Sequence, residues 1–387
     1  MNCGACKRAD CLNLKKGKIM KLIHCADLHL DSKLHTHLDR ETAARRRNEL
    51  LRNFARLAEY AEENNVEAIL IAGDLFDRDY VSALTRNTVL SVIETHPRIR
   101  FYYLRGNHDL GDCLGSAPGR LSNLFLFGSR WKTYAEGQEG AVALAGIELT
   151  RENSADAHAA LRLDPERFNI VLLHGQTGGT GASSGSAGTI SLCALRGRGI
   201  DYLALGHLHA RQEAPLDSRG IYCYPGCLEG RGFDECGPHG FMLLEVDEKR
   251  RAMTHRFVPF AQRTLYSLRT DVTGCRTTAQ MLEAVRRTLR SHGCTAGDMA
   301  DVTLSGEIDV DCEMDLRYLQ ESLEAHLYFS KVNDATTLRI DPEEYLHDES
   351  LRGEFVRLVL AEPSIPESEK TAVIRCGFRA MDGEDPV

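Results

Sequence analysis

No run of apolar residues in this chain of 387 residues approaches the roughly 18 that a membrane-crossing helix requires. The opening stretch MNCGACKRADCLNLKKGKIM also lacks the apolar core of a secretory leader. These two absences lead to the expectation of a cytoplasmic protein with no membrane partner. Residues 1–19 read as a flexible tail or an over-long start, because Met20 directly precedes a strong apolar strand. A disulfide framework is missing too: the 13 cysteines are odd in number and scattered, so reduced thiols are expected. Cys3 and Cys6 form a CxxC with Cys11 nearby, but no second pair follows at zinc-finger spacing, which disfavours a metal role there. Nor is there a surplus of basic residues. A net charge of −9 argues against holding nucleic acid by a basic surface alone, and leaves phosphate substrates open, since cations bound by carboxylates present positive charge locally. The basic clusters ARRR (Ala44–Arg47) and RGR (Arg196–Arg198) read as solvated faces.

What is present suits a globular protein of about two domains, with 43% hydrophobic and 27% charged residues. MKLIHCADLHL opens on an apolar strand, Thr42 to Asn64 has helical composition, and VEAILIAGDLF returns to a strand. A second helix over Ser82 to Thr95 leads into the strand RIRFYYLRGNHD, continuing the alternation of an α/β sheet. AVALAGIEL, FNIVLLHG and IDYLALGHLHA follow as strands. The intervening GQTGGTGASSGSAGTIS is too poor in apolar residues to pack and reads as a mobile surface loop; it lacks the Lys-Ser/Thr ending of a P-loop. The style of the sequence changes near Phe260, which divides the chain into residues 20–262 and 263–387. The second part reads as strand, helix (Thr278 to Ser291), strand (DVTLSGEID), helix (Met314 to His326) and a strand near TTLRI, a smaller α+β unit without candidate ligands.

Polar residues follow five of the apolar runs: Asp27 and His29 in ADLHL, Asp74 and Asp77 in GDLFDR, Asn107, His108 and Asp109 in GNHD, His174 in LLHG, and His207 and His209 in GHLH. Side chains just beyond the carboxyl ends of strands in an α/β sheet converge on one crevice, so residues far apart in sequence can meet there. Carboxylate, imidazole and amide oxygen together suit hard or borderline divalent ions, and the absence of Cys disfavours structural zinc. These ligands are too many for one ion, whereas two ions sharing a carboxylate suit hydrolysis of phosphate esters. In Asp-x-His an extended backbone would turn both side chains to one side. One such motif alone is ordinarily a satisfied loop; five in order, each at a strand end, are not coincidence. His24, His35, His37 and His96 fall outside the pattern and read as ordinary polar or partly buried residues, and Trp131, Tyr102 and Tyr103 read as core.

The ordered set DxH, GDxxD, GNHD, HG and GHxH resembles that of the calcineurin-like metallophosphoesterases. CADLHLDS, AGDLFDR and LRGNHD, with the later YPGCLEGRGFDE and SLRGEFVRLVL, are similar to the Mre11/SbcD branch of DNA repair nucleases, its small bacterial members above all. The resemblance is strong over Met20 to Phe260 and loose beyond. It implies an α/β fold, a two-sheet αββα sandwich with a smaller C-terminal α+β capping domain. It also implies two divalent ions, manganese first, with magnesium, iron or zinc as alternatives. By matching motif, Asp27, His29 and His209 would bind one ion, Asp74 would bridge, and Asn107, His174 and His207 would hold the other. His108 would then act on the scissile phosphate, oriented by Asp77, with Asp109 second for that role. Archaeal and eukaryotic members of that branch carry DxxH at the second motif, whereas Asp77 takes that place here and resembles the phosphatases of the superfamily. The activity implied is an exonuclease or endonuclease on double-stranded DNA ends, with an SMC/Rad50-like ATPase partner and scope for a homodimer. A phosphomonoesterase or cyclic-nucleotide phosphodiesterase is the alternative. A non-catalytic subunit that binds DNA or the ATPase is disfavoured by the intact ligand set.

Overall fold

The computed structural model describes residues 18–381 and 383, except 35–37, 78–80, 110, 112, 116–118, 155, 179–187, 310–311, 340–344 and 346. Cys3, Cys6, Cys11, His35, His37 and most of the Gly/Ser segment therefore lie outside the described residues. The chain forms two compact units, Met1–Glu229 with His239–Ala261, and Gly230–Pro238 with Gln262–Val387.

The first unit begins β1 (Ile19–Cys25), α1 (Arg40–Glu63), β2 (Ala68–Ala72), α2 (Ala83–Thr95), β3 (Arg100–Leu104) and β4 (Leu124–Leu126). It continues β5 (Lys132–Glu136), β6 (Val142–Gly146), α3 (Ala157–Ala160), β7 (Phe168–His174), β8 (Gln176–Thr177) and β9 (Thr189–Ile190). Then come α4 (Leu192–Leu195), β10 (Tyr202–Gly206), β11 (Gln212–Pro215), β12 (Ile221–Tyr224), β13 (Gly240–Asp247) and β14 (Ala252–Pro259). One six-stranded sheet has the order β14-β13-β1-β2-β3-β4 and the other β11-β12-β10-β7-β6-β5. In each, the central strands are parallel and antiparallel strands lie at an edge.

Every residue of β2 and β7 is buried, because both faces of each sheet are covered and period-two alternation then sorts residues between two cores. Leu22, Leu70 and Tyr102 face Leu144, Leu172 and Ala204 across the layer between the sheets. Their neighbours Ile23, Ile69, Ile71 and Phe101 turn outward onto Phe54, Leu57 and Ala61 of α1 and Val89 of α2. Val171, Leu173 and Leu203 likewise face away from the first sheet, toward Leu195 of α4. The result is an αββα sandwich.

Asp39 caps α1 by accepting from the amides of Glu41 and Thr42 at 2.8 and 2.9 Å, and Ser82 caps α2 through Thr85 N–H. Two expectations change here. ARRR is not wholly a solvated face: Arg46 is buried, donating to Glu49 Oε2 at 2.7 Å and Glu229 Oε1 at 3.2 Å, since α1 turns this residue inward where only carboxylate partners make the charge tolerable. His24 is not partly buried but wholly so, its Nδ1 2.9 Å from Tyr202 Oη between the sheets. Burial lowers its pKa to about 3. Tyr102 and Tyr103 are core, and Trp131 packs on the outer face of the second sheet with its indole N–H on Ala157 O.

The second unit contains β15 (Leu265–Asp271), α5 (Thr278–Ser291), β16 (Met299–Asp309), α6 (Leu316–Glu324), β17 (Phe329–Arg339), α7 (Leu351–Ala361) and α8 (Glu367–Met381). Its three strands are parallel in sequence order. Met281, Leu282, Val285 and Leu289 recur on one face of α5 and close this core with Val302 and Leu304. Sequence patterning has no counterpart for α7 and α8.

Candidate metal centre

β1, β2 and β3 of one sheet and β7 and β10 of the other all end at the same edge of the sandwich, and the five polar segments begin there. Asp27, His29 and His209 form one group whose ligand atoms lie within 4.8 Å of one another; Asp74, His174 and His207 form a second. Asn107 Oδ1 joins the second group, 2.9 Å from His174 Nε2 and 3.1 Å from His207 Nδ1. Asp74 Oδ2 is 3.2 Å from His174 Nε2 and 3.9 Å from His29 Nε2, so one carboxylate faces both groups.

Outer partners aim the imidazoles. A carboxylate only accepts, so His29 Nδ1–H donates to Asp77 Oδ1 at 2.9 Å and Nε2 is left facing His209 Nε2 at 3.1 Å. His174 Nδ1–H donates to Ala72 O at 2.9 Å, which turns its Nε2 toward Asp74 and Asn107. This is the arrangement by which proteins orient metal-binding histidines. Asp27 accepts from His207 N–H at 2.9 and 3.0 Å, tying the two sheets together at the edge.

The backbone departs from the extended geometry expected of Asp-x-His. Asp27 and His29 have φ of 54° and 44°, Asp74 51° and His207 108°. Left-handed turns, which Asp and His tolerate better than most residues, aim these side chains, because the strands have already ended. Gly73, at φ 95°, shows why glycine precedes Asp74: a Cβ there would lie 2.0 Å from His174 Nδ1.

Burial pushes the Asp27 carboxyl up to about 6, with the positive His174 opposing and the negative Asp74 adding. Asp74 behaves differently: burial works against its ionisation, but the hydrogen bond and charge of His174 carry it down to about 2. Burial also opposes charge on His174, and Asp74 outweighs it, raising the imidazole to about 9. Positive charge is therefore stabilised where these groups meet. Buried carboxylates, inward-facing imidazole nitrogens and an amide oxygen, without thiolate, are the donor set of a divalent cation of hard or borderline character.

His108 is half exposed beside the groups, with its Nδ1 3.5 Å from Asp77 Oδ1. Asp77 is nearer to His29 than to His108, which differs from a carboxylate dedicated to His108. Asp109 is engaged elsewhere: it is buried and accepts from the amides of Gly106, Phe76 and Leu75 at 2.9, 2.7 and 3.2 Å, clamping two loops together. Burial raises its pKa to about 6, against the pull of the Gly106 amide. Sequence patterning missed this clamp, because Leu75 and Phe76 lie 34 and 33 residues before Asp109.

Residues 20–211 match the family model for the calcineurin-like phosphoesterases. The chain carries a calcineurin-like metallophosphoesterase domain. That places it with the metal-dependent hydrolases. It is 29% identical over 241 residues to the uncharacterised metallophosphoesterase YhaO of Bacillus subtilis, across 59% of this chain and 57% of the relative. It is 25% identical over 339 residues to the DNA double-strand break repair protein Mre11 of Methanopyrus kandleri, across 79% of this chain and 72% of that protein. The chain thus spans little more than half the length of YhaO. The crystal structure of TT1561 of Thermus thermophilus is similar with a TM-score of 0.40 and 11% identity, across 62% of this chain and 99% of that one. Among the described residues no helix is long and apolar enough to cross a membrane.

Proposed function

We propose that this chain is a phosphodiester hydrolase using two divalent ions, manganese in the first place, that cuts DNA at double-stranded ends and serves in DNA repair. The observation that supports it is the pair of neighbouring groups, Asp27/His29/His209 and Asp74/His174/His207, with Asp74 facing both. The likeness to Mre11 supports the choice of DNA. In this reading Asp27, His29 and His209 hold one ion, Asn107, His174 and His207 the other, and Asp74 bridges.

When bound, the ions supply Lewis acidity that activates water and offsets charge on the phosphate. The chain's own groups do the rest. His108 is exposed enough to meet substrate and donates a proton to the leaving oxygen. Asp77 holds His29 at 2.9 Å and lies 3.5 Å from His108, so it positions a ligand and the acid together. Residues 263–387 act as a capping domain that governs which substrate reaches the ions. With a net charge of −9, affinity for bare DNA is modest and falls with salt, so an SMC/Rad50-like ATPase partner grips the duplex.

End-labelled linear duplex and a nitrophenyl phosphate ester, each with manganese, test the reading. Manganese-dependent shortening of the duplex is expected. Turnover of the ester with no cleavage of DNA overturns it in favour of a phosphomonoesterase or cyclic-nucleotide phosphodiesterase, to which Asp77 in the second motif lends support.

A further inference from the structure

The turn Pro225-Gly226-Cys227, which follows β12, contributes no ligand to either group, yet it touches the backbone of His209 and of Ala26, the neighbour of Asp27. Cys227 N–H donates to His209 O at 3.1 Å, and Cys227 forms a parallel bridge with Ala26, the residue before Asp27. Gly226, at φ 80°, leaves no room for a side chain: a Cβ there would lie 2.7 Å from His209 O. Neither contact reaches the backbone of Asp74, His174 or His207.

The turn is itself fixed by buried side chains on either hand. Cys227 is fully buried, and its Sγ shares a 3.1 Å hydrogen bond with Nδ1 of His239, which is also buried. His239 stands immediately before β13, and its carbonyl accepts from the amides of Phe260 and Ala261 at 2.8 and 3.1 Å. Two residues beyond Cys227, Glu229 is held by Arg46 and Asn53 of α1 at 3.2 and 3.1 Å.

We infer that Cys227 and His239 are a positioning pair for one metal site only: through the Gly226–Cys227 backbone they set the places of Asp27 and His209, and hence the affinity of the Asp27/His29/His209 group. The inference rests on the two-ion reading above. Groups that orient metal ligands from outside cost about 10- to 100-fold in affinity when removed. That cost should fall on one ion of the two.

Manganese binding, followed by the free-ion paramagnetic resonance signal, tests it without any assay of activity. Wild type should take up two ions; uptake of none or one sinks the two-ion reading itself. In a His207→Ala background, which leaves the first group intact, Cys227→Ala should weaken the remaining site about 10- to 100-fold. In a His209→Ala background the same change should leave the remaining site unaltered, and this retained ion also shows that the protein is folded. His239→Ala should reproduce the effect, the double variant should be no worse than either single one, and Cys227→Ser, whose hydroxyl can share the bond with His239, should recover most of the affinity. Equal weakening in both backgrounds, no weakening in either, or additive effects of Cys227→Ala and His239→Ala overturn the inference while leaving the two-ion reading standing.

Discussion

Both units are built on parallel strands, but only in the first do the strand ends gather chemistry. β1, β2, β3, β7 and β10 run straight into Asp, Asn or His, and all the groups of His, Cys, Asp and Glu close enough to hold an ion, among the described residues, lie there. β15, β16 and β17 are parallel as well, yet no such group forms around them among the described residues. The difference lies in the number of sheets. Two sheets packed face to face bring their strand ends to a common edge from opposite sides, so ligands enclose a point; a single sheet presents its ends in a row. Convergence, more than the direction of the strands, makes the site.

The comparison breaks most visibly at Asp74, which faces both groups. Asp74→Asn should lower turnover by more than about 10⁴-fold, beyond the range of a lost general acid, and should weaken both ions together. Calorimetric titration with manganese checks it: loss of one ion with the other unchanged would make Asp74 a terminal ligand. His108→Ala should cost about 10²- to 10⁴-fold in rate with two ions retained, as metal analysis of the purified variant would show. An ion lost along with activity would make His108 a ligand.

The interiors of the units can be set against each other by pH. His24 is held neutral, its pKa lowered by burial from 6.5 to about 3, so between those values the unfolded chain binds a proton that the folded one does not. The contribution of His24 to stability should therefore fall as pH drops below about 6, by about 1.4 kcal/mol per unit, and level off near pH 3, while Asp27 and Asp109, raised to about 6, work in the opposite sense as pH falls below that value. Denaturant unfolding of wild type and His24→Gln across that range checks it: the stability difference between the two should change with pH by that slope and in that direction, and a difference constant with pH would remove His24 as the source. The smallest effect belongs to the second unit: a chain ending at Gln262 should hydrolyse a small phosphodiester within about threefold of the full protein, since the placement of reacting groups around the ions is unaltered, yet process duplex poorly. Equal processing of duplex ends by both proteins across a salt series would remove the capping role.

The sandwich and its edge were legible because local signals and their consequence coincide. Apolar runs such as AILIA end in Gly-Asp, and a strand buried on both faces must place its polar residues beyond its end. What sequence left out depends on partners distant along the chain. Nothing near His24 says that Tyr202 waits across the layer, and nothing in ARRR separates Arg46 from its exposed neighbours until Glu229 is beside it. Likewise, Asp-x-His implies one side of an extended chain only while the strand lasts. The left-handed turns at Asp27 and His29 begin where it stops. Which amides Asp109 holds depends likewise on how the GDLF loop approaches GNHD.

Because ligands come from both sheets, the layer between them acts as a ruler for the metal centre. Facing sheets stand about 10 Å apart, and here Ala204, fully buried between them, lies only three residues before His207. A bulkier residue at Ala204 would wedge the sheets apart and carry His174 and His207 away from Asp27 and Asp74, altering the spacing of the ions without touching any atom that holds them. With two ions held as proposed, catalytic rate would thus be tunable from the greasiest layer of the protein.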